Sequence, residues 1–259
     1  MKKTMILLLF TFIGTKVLAQ KEITAKTIFD AINNKQLVDY KDVTIIGDLD
    51  LTELSNKKRT KNKGNYEEYK SKVEVPISFK NCVFKGDITA YKNLEETKSR
   101  KIGNANITLN MGDGTTFTTD FERTVIFENC TFTQKTEFKY SDFAEKASFG
   151  GTKFSKEANF KYADFSQEAI FAKCDFDEYA NFKYTTFKQD VDFYDVRFRN
   201  YADFKYTNFN ERATFKRSDF SNQADFKYAE FGSNANFDDT KFKANVDMKY
   251  SNGKKYLNQ

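Results

Sequence analysis

A strict alternation of aromatic spacing dominates the second half of this 259-residue chain. From Phe127 onward, phenylalanines lie alternately five and six residues apart as far as Phe242, and Met248 takes the next position. The interval from Phe127 to Met248 is 121 residues, which is eleven copies of an 11-residue unit without an insertion. Because self-similarity at a fixed period is typical of repeat architectures, this spacing predicts a solenoid.

A second periodic position lies two residues before each phenylalanine. It holds a small or β-branched residue, for example Ala158, Thr185 or Val191. Residues i and i+2 of a strand share one face, so both side chains are predicted to point inward. Spacings of five and six match neither the i+3/i+4 nor the i+7 pattern of a helix. The pattern therefore predicts short strands, with a corner every five or six residues.

The length of one coil follows from a tripeptide that recurs at twice the basic period. Phe-Lys-Tyr occurs at 138–140, 160–162, 182–184, 204–206 and 226–228, and Met-Lys-Tyr follows at 248–250. The intervening 11-residue units carry other tripeptides, such as Phe171-Ala172-Lys173. One coil is therefore predicted to contain two 11-residue units on four sides. Equivalent residues of successive coils should lie about 4.8 Å apart, as in any sheet.

Single units of this pattern resemble a known family. Ala163-Asp164-Phe165 and Ala224-Asp225-Phe226 look like the pentapeptide-repeat family, whose pattern is A-(D/N)-(L/F)-x-x. The resemblance covers residues 121–250 strongly and 43–84 weakly. It implies an all-β fold, a right-handed quadrilateral parallel β-helix, here with one extra residue on every second side. It implies little about function, because one fold hosts many unrelated activities.

The N-terminus has the composition of a secretory signal peptide, which we predict to span residues 1–19. A basic start precedes a short apolar run, and Val17-Leu18-Ala19 gives a small-residue cleavage site before Gln20. The run is too short to span a bilayer, so we expect no transmembrane segment in the mature chain and a periplasmic or extracellular, cell-surface location. Cleavage removes three lysines and lowers the formal net charge from +5 to +2. A nearly neutral chain gives no electrostatic reason to bind nucleic acid.

These patterns divide the chain into five segments. We predict a signal peptide at 1–19, a helical N-terminal cap at 20–40, irregular first coils with insertions at 41–120, a regular β-helix at 121–250 and a C-terminal tail at 251–259. The cap is a short helix predicted from Glu22 to Asn34 by its apolar spacing. A solenoid needs such a cap because exposed strand edges template aggregation.

The irregular segment contains an early coil. Val43, Leu49 and Leu54 repeat the spacing of six and then five residues. Gly47 and Thr52 lie two residues before the two leucines. We interpret the three aliphatic residues as occupying the positions that phenylalanine holds later in the chain.

Two insertions interrupt the first coils. Residues 77–84 closely match residues 125–132. The offset from position 77 to position 125 is longer than one coil of two 11-residue units, so the surplus must leave the solenoid between the copies. We predict that the basic insertion at 55–72 is a solvated loop. The insertion at 92–119 contains Gly112-Asp113-Gly114, which we interpret as a hairpin tip.

The cysteines do not indicate a metal or cofactor site. Cys82, Cys130 and Cys174 all occupy the small inward position, where cysteine behaves as an apolar residue. Cys130 and Cys174 lie two coils apart, which is beyond the reach of a disulfide. Cys82 and Cys130 could face each other on neighbouring coils, so pairing between them stays open. The chain has no His and no two cysteines close in sequence, so we expect no metal and no cofactor.

One surface feature is a column of tyrosines, which we call the tyrosine ladder, with a lysine before each tyrosine. The tyrosines are Tyr140, Tyr162, Tyr184, Tyr206, Tyr228 and Tyr250. We select Lys161, Lys183 and Lys205 as candidate binding residues with them. In a structural interpretation the tyrosines stack and the lysines pair with acidic neighbours. In a binding interpretation they form an aromatic, cationic platform for a glycan or a partner protein.

The residue types argue against catalysis. Without His, neither a Ser/His/Asp nor a Cys/His arrangement can form. Adjacent carboxylates such as Asp238-Asp239 lie at outward repeat positions, which are typically solvated. We expect an exported, non-enzymatic scaffold or protein-interaction module, with a glycan-binding surface as the alternative. The partner is an unidentified protein or polysaccharide, and end-to-end association of two copies stays open.

Overall fold

A computed structural model describes residues 20–63, 66–102, 105–232 and 234–257 of the chain. The predicted signal peptide, residues 1–19, lies outside the described residues. Within them, short strands form four sheets along one rod. The chain visits the four sheets in a fixed order, and we number them sides 1 to 4 in that order.

Each side is a row of strands stacked coil upon coil. Side 1 consists of Lys21–Thr24, Val43–Ile46, Val83–Phe84, Thr131–Phe132, Lys153–Phe154, Asp175–Phe176, Arg197–Phe198, Asp219–Phe220 and Lys241–Phe242. Side 2 consists of Leu49–Asp50, Ile88–Thr89, Thr136–Glu137, Ala158–Asn159, Ala180–Asn181, Ala202–Asp203, Ala224–Asp225 and Val246–Asp247. Side 3 consists of Lys58–Lys63, Tyr66–Val73, Ala105–Phe121, Asp142–Phe143, Asp164–Phe165, Thr186–Phe187, Asn208–Phe209 and Glu230–Phe231, with Tyr91–Ile102 beside it. Side 4 consists of Val38–Lys41, Ile77–Lys80, Val125–Glu128, Ala147–Ser148, Ala169–Ile170, Val191–Asp192, Arg212–Thr214 and Asn234–Asn236.

The pairing register confirms the predicted coil. Phe143 lies opposite Phe165, and Phe165 lies opposite Phe187, so successive coils are parallel and each is offset by the predicted repeat. The two matching units of the first third also stack directly, because Phe79 lies opposite Phe127. The predicted fold class, an all-β parallel β-helix with four sides, is therefore confirmed.

The phenylalanines fill the axis of the rod as stacked columns. The rings of Phe160 and Phe182, one coil apart, stack with centroids 5.0 Å apart and 2° between planes. Phe171, on the opposite side of the coil, meets Phe182 edge-on at 5.2 Å and 86°. These are the two favourable geometries of aromatic pairs. The predicted inward residues are buried until the last coil, where Phe242 and Val246 become partly exposed.

The corners after sides 2 and 4 are β-turns with a left-handed residue. At the first of these corners, the N–H of Ser141 donates to the C=O of Phe138 at 3.2 Å, and Tyr140 has φ +59°. At the other, Thr152 donates to Phe149 at 3.0 Å. A positive φ at the third residue is the pattern of a type II turn. The extra residues of each coil lie in the other two corners, where the phenylalanines are six residues apart.

A short helix and the first strand cover the N-terminal end. Helix α1 spans Ala25–Asn33, and it begins later than the predicted start at Glu22. Residues Lys21–Thr24 form the first strand of side 1 instead. The Thr24 side chain accepts a hydrogen bond from the N–H of Thr27 at 3.2 Å, which caps the helix. The helix buries Ile28 against the first coil, as a cap should.

The early coil is present, but its predicted register was wrong by two residues. Ile45 pairs with Phe84, and Leu49 pairs with Ile88. Ile45 therefore occupies a phenylalanine position, while Leu49 occupies the small inward position that precedes Leu51. Aliphatic side chains fill both inward positions in this coil, so their spacing does not distinguish one position from the other.

The two insertions are β-hairpins that join into one sheet, which we call the hairpin sheet. Strand Lys58–Lys63 pairs antiparallel with Tyr66–Val73, and Tyr91–Ile102 pairs antiparallel with Ala105–Phe121. The two long strands Tyr66–Val73 and Ala105–Phe121 pair in parallel and continue side 3 outward from the rod.

Two predictions for these insertions were wrong. The segment 55–72 is largely strand rather than a solvated loop. Gly112-Asp113-Gly114 is not a hairpin tip, because Gly114 pairs with Glu95 inside the hairpin and with Tyr66 of the adjacent strand. The connection of that hairpin lies between Ile102 and Ala105.

The predicted C-terminal tail, residues 251–259, contains a 3-10 helix at Asn252–Tyr256. The side chain of Asn252 accepts from the N–H of Phe231 and donates to its C=O, both at 2.8 Å. The Tyr256 ring meets Phe231 edge-on. This helix therefore covers the C-terminal edge of side 3.

The three cysteines are buried thiols in small inward positions, as predicted. Cys82 and Cys130 lie opposite each other on neighbouring coils, because the next residues, Val83 and Thr131, are register partners. Both thiols are free, and the Cys130 thiol donates to the C=O of Phe79 at 3.3 Å.

The first prediction concerns the axis. Phe182 is fully buried and contacts rings above, below and beside it. Phe182→Ala should lower the free energy of unfolding by about 3–5 kcal/mol, because the cavity cannot collapse in a closed coil. Urea denaturation followed by circular dichroism measures the change. A loss below about 1 kcal/mol would show that the ring is not part of a packed core.

The second prediction compares two buried hydroxyls in one column. The Thr185 hydroxyl donates to the C=O of Phe160 at 2.7 Å, whereas the Ser141 hydroxyl has no partner. Ser141→Ala should raise the free energy of unfolding by about 1 kcal/mol, since Ala163 holds the same position one coil on, and Thr185→Val should lower it by about 1 kcal/mol. The same denaturation assay tests both variants. Equal effects of equal sign would contradict the hydrogen-bond assignment.

Candidate functional site

The tyrosine ladder lies on the corner between sides 2 and 3. All six of its tyrosines occupy the left-handed position of the turn, with φ from +57° to +61°. This conformation is unfavourable for a bulky side chain and favours Gly, Asn or Asp. The equivalent position on the opposite corner holds Asn129, Gly151, Asp195 and Asp239, and it also holds Lys173 and Arg217. The turn alone therefore does not explain tyrosine at the ladder.

Ring stacking accounts for the tyrosines. The Tyr140 and Tyr162 rings lie 4.7 Å apart with 2° between planes, and the Tyr162 and Tyr184 rings lie 4.7 Å apart with 3°. The remaining steps measure 4.7, 4.6 and 4.8 Å. Each stacked pair contributes about 0.5–1.5 kcal/mol, which offsets the backbone cost. The ladder is thus a structural element as well as a surface.

The stacking decides what the ladder presents to solvent. Inner ring faces are covered by neighbouring rings, so the accessible parts are ring edges and hydroxyls. No ladder hydroxyl has a hydrogen-bond partner among the described residues, and none is buried. Tyr140 is 41% exposed, and Tyr250, at the end of the column, is 64% exposed. A ligand would therefore meet a row of phenol donors rather than a flat aromatic face.

The lysines of the ladder lie against the rod. The side chains of Lys139, Lys161 and Lys183 are all half-buried. The ammonium groups of Lys161 and Lys183 lie 5.0 Å from the centroids of the adjacent tyrosine rings. The aliphatic stem of lysine packs readily along apolar surface in this way while its head stays near water.

A Glu, Asn or Asp two residues before each ladder lysine shapes the turn. The side-chain oxygen of Asn159 accepts from the backbone N–H of Lys161 at 3.1 Å, and Asp203 accepts from Lys205 in the same way at 3.0 Å. The hydrogen bond is common to both residue types, because each offers a carbonyl-like oxygen. The column contains Asn159 and Asn181 followed by the acids Asp203, Asp225 and Asp247.

The charge of that column divides the ladder into two halves. In the C-terminal half, the Lys205 ammonium lies 3.2 Å from Asp203 and 3.4 Å from Asp225, and Lys227 lies 3.5 Å from Asp247. In the N-terminal half, the ammonium groups of Lys139, Lys161 and Lys183 have no carboxylate within 4.0 Å among the described residues. The predicted pairing of lysines with the acidic column therefore holds for the C-terminal half only.

The pKa directions of two lysines reflect this division. Burial lowers the pKa of Lys161, and repulsion from Lys139 and Lys183 lowers it further. Burial also acts to lower the pKa of Lys205, but the hydrogen bond to the Tyr201 hydroxyl and the charge of Asp203 outweigh it, so this pKa is raised. The N-terminal half is thus an uncompensated cationic strip.

A cleft of about 730 Å³ opens where the hairpin sheet meets the ladder. Tyr66 and Tyr91 line it on the hairpin side, and Tyr140, Tyr162 and Tyr184 line it on the ladder side. Nothing in the sequence indicates that Tyr66 and Tyr91 belong to this site, because the strand pairing that brings them there joins residues distant in sequence.

Ion pairs compensate most other charges of the cleft. Lys61 pairs with Glu68 at 2.8 Å, and Lys70 pairs with Asp120 at 2.7 Å. In contrast, Lys139 lines the cleft without a carboxylate partner and donates to the Tyr91 hydroxyl at 3.1 Å. The cleft is therefore continuous with the cationic strip of the ladder.

All predicted site residues lie on one corner of the rod, in the order of the coils. A second column of stacked tyrosines, Tyr179 and Tyr201, was not predicted. Their hydroxyls donate hydrogen bonds to Asp203 and Asp225 in the C-terminal half of the ladder.

Within the described ranges, no group of three or more Cys, Asp or Glu side chains is arranged to bind a metal ion. None of the helices described is long and apolar enough to cross a bilayer.

Comparison with known proteins gives one family match. A family model described as Pentapeptide repeats, in 9 copies, matches residues 113–164, 160–208 and 204–252. No curated protein and no solved structure matches the chain. The family match indicates a repeat scaffold or an interaction module.

A third prediction concerns Glu137, the first residue of the Asn and Asp column. Burial raises the pKa of Glu137 to about 7, whereas the pKa of a glutamate in the unfolded chain is about 4.3. The folded state therefore holds this proton more tightly, and the resulting stability is present at low pH and is lost as pH rises through about 7. Relative to Glu137→Gln, the wild-type protein should lose free energy of unfolding between about pH 5 and about pH 8.

Urea denaturation of both proteins at the two pH values measures this difference. The glutamine variant retains an oxygen that can accept from the N–H of Lys139, so it changes the titration with little change in the turn. Parallel pH dependence of the two proteins would contradict the raised pKa of Glu137.

Proposed function

The chain belongs to the pentapeptide repeat family, and we propose that it acts as an exported, non-catalytic interaction module. The observation that supports this most is the ladder. It places identical phenol and ammonium groups at steps of 4.6 to 4.8 Å along a rod that neighbouring coils hold in register. Such a surface suits one extended partner better than a small molecule, because its donors repeat instead of converging.

Export rests on the composition of residues 1–19. Their basic start, apolar run and small-residue cleavage site are typical of a secretory signal. The periplasm or the cell surface is the corresponding place of action.

A glycan is the partner class that the ladder favours. Ammonium and phenol groups without internal partners can donate to the hydroxyls and carboxylates of a sugar chain. The spacing of the ladder is close to the repeat of a polysaccharide. Binding by many equivalent contacts should strengthen with ligand length, as expected for multivalency.

A fourth prediction tests export. Protein from the native host should begin at Gln20 or its cyclised form, because cleavage is predicted after Ala19. Intact-mass analysis of the protein from the cell envelope or the medium measures this. A mass that retains residues 1–19 would contradict the proposed location.

A fifth prediction tests the ladder as the binding face. Tyr162→Asn with Tyr184→Asn removes two adjacent rings, and Asn tolerates the left-handed turn. Binding to immobilised polysaccharides should be lost, while unfolding stays cooperative because both rings lie outside the phenylalanine core. Tyr194→Asn, on the opposite corner and one residue before the left-handed position, is a control outside the ladder and should bind as wild type does.

Glycan arrays with oligosaccharides of increasing length provide the measurement. Equal binding by the ladder variant and the wild type would show that the ladder is purely structural. Affinity that does not depend on oligosaccharide length would contradict an extended binding mode.

A further inference from the structure

We propose that the N-terminal half of the ladder binds an acidic polysaccharide through Lys139, Lys161 and Lys183. This inference rests on the proposed function, since it names the ligand class of the same surface. It uses the contrast between the two halves of the ladder, which have the same fold and different charge.

The first step is that Asn and Asp are structurally equivalent in this column. Asn181 accepts from the N–H of Lys183 at 3.2 Å, and Asp225 accepts from the N–H of Lys227 at 3.0 Å. Both are buried at the same place on side 2. The turn therefore does not require amide at one coil and carboxylate at another. What the choice does change is whether the neighbouring lysine is neutralised.

The second step is the balance of charge around the three lysines. On side 2, the nearest acids are Glu137, whose pKa is raised by burial and also by repulsion from Glu157, and Asp203, two coils beyond Asn159. Asp203 is already bound by Lys205 and by the Tyr179 hydroxyl. The strip therefore carries cationic charge that the protein itself does not compensate.

The opposite flank of the ladder is acidic but is engaged by other lysines. Asp142 lies 3.9 Å from Lys70, and Asp164 lies 3.5 Å from Lys188. Because these carboxylates have lysine partners on side 3, they do not neutralise Lys139, Lys161 and Lys183 on side 2.

The third step distinguishes a sugar chain from a nucleic acid. Single-stranded nucleic acids gain much of their affinity by stacking bases on exposed aromatic faces. The inner faces of Tyr140, Tyr162 and Tyr184 are covered by each other at 4.7 Å. The ladder offers phenol hydroxyls and ammonium groups instead, which match the hydroxyls and carboxylates of an acidic glycan.

The cleft at the N-terminal end extends this path. Lys139 and Tyr91 line it together, and the hairpin sheet gives the strip a wall that the C-terminal half lacks. One end of a polysaccharide would be held in the cleft while the chain follows the lysines of the next two coils.

Exchanges between Asn and Asp within the column, each of which adds or removes one negative charge, test the proposal. The probe is polygalacturonate of defined length, and its methyl-esterified form is the uncharged control on the same backbone. Asn159→Asp with Asn181→Asp should neutralise Lys161 and Lys183, as Asp203 and Asp225 do for Lys205, and should weaken binding by roughly tenfold. Asp203→Asn with Asp225→Asn should free Lys205 and strengthen binding. Lys216→Ala, at a paired lysine in the equivalent turn position on the opposite corner, should bind as wild type does.

Calorimetry gives the affinities, and thermal melts confirm that each variant is folded. The proposal is supported if the affinity for polygalacturonate falls in one exchange variant and rises in the other, and if the esterified chain binds weakly. If Asn159→Asp with Asn181→Asp fails to fold, the gain of affinity in Asp203→Asn with Asp225→Asn decides alone. Unchanged affinity in both exchange variants, while wild type still binds polygalacturonate, overturns the charge assignment and leaves the proposed function intact. Tighter binding of a single-stranded oligonucleotide than of polygalacturonate overturns the glycan assignment. If neither acidic nor neutral polysaccharides bind, the glycan function itself is wrong.

Discussion

The stacking of each phenylalanine on its equivalent one coil away is the interaction on which the rest of the structure depends. Rings such as Phe160 and Phe182 meet face to face at 5.0 Å, and rings from the opposite side of the coil close the gaps edge-on. This packing tolerates no change of register, because a shift of one residue would turn every inward side chain outward. Every surface column inherits the same alignment, so a single residue type repeated once per coil becomes a continuous feature of the rod.

The tyrosine ladder shows how such alignment creates a surface that no single coil contains. Each ladder tyrosine has an unfavourable positive φ, and the stack of rings compensates for it. Beside it, Asn159 and Asn181 give way to Asp203 and Asp225. The turn stays the same, but the carboxylates pair with Lys205, whereas the neutral amides leave Lys161 and Lys183 without a carboxylate partner. The side-chain oxygen at this position forms the turn in both Asn and Asp, whereas only Asp carries a charge. The charge can therefore differ between the two halves of the ladder while the fold stays the same, and for this reason a ligand is assigned to one half.

The regular part of the fold was predictable from the sequence because inward residues recur without a slip from Phe127 to Met248. The early coil was misplaced by two residues, since Ile45 and Leu49 are both aliphatic and fill adjacent inward positions. The hairpin sheet was missed because its strands depend on pairing between Tyr66–Val73 and Ala105–Phe121, which is long-range. The ladder residues were predictable from their period, but the half-burial of Lys161 and its lack of a partner were not. Both properties depend on the conformation of the lysine side chain, which packs against the neighbouring Tyr162 ring.

The most direct test of this account is a pair of internal deletions that differ by one residue. Removing residues 163–184 takes out one complete coil and joins Tyr162 to Thr185, so that each remaining column stays in register. Removing residues 163–183 leaves one residue of that coil behind and displaces every later side chain by one position. Thermal unfolding followed by circular dichroism should show a sharp, cooperative transition for the first protein and a broad or absent transition for the second. Equal cooperativity and equal stability of the two proteins would contradict a fold held in register by its phenylalanine columns.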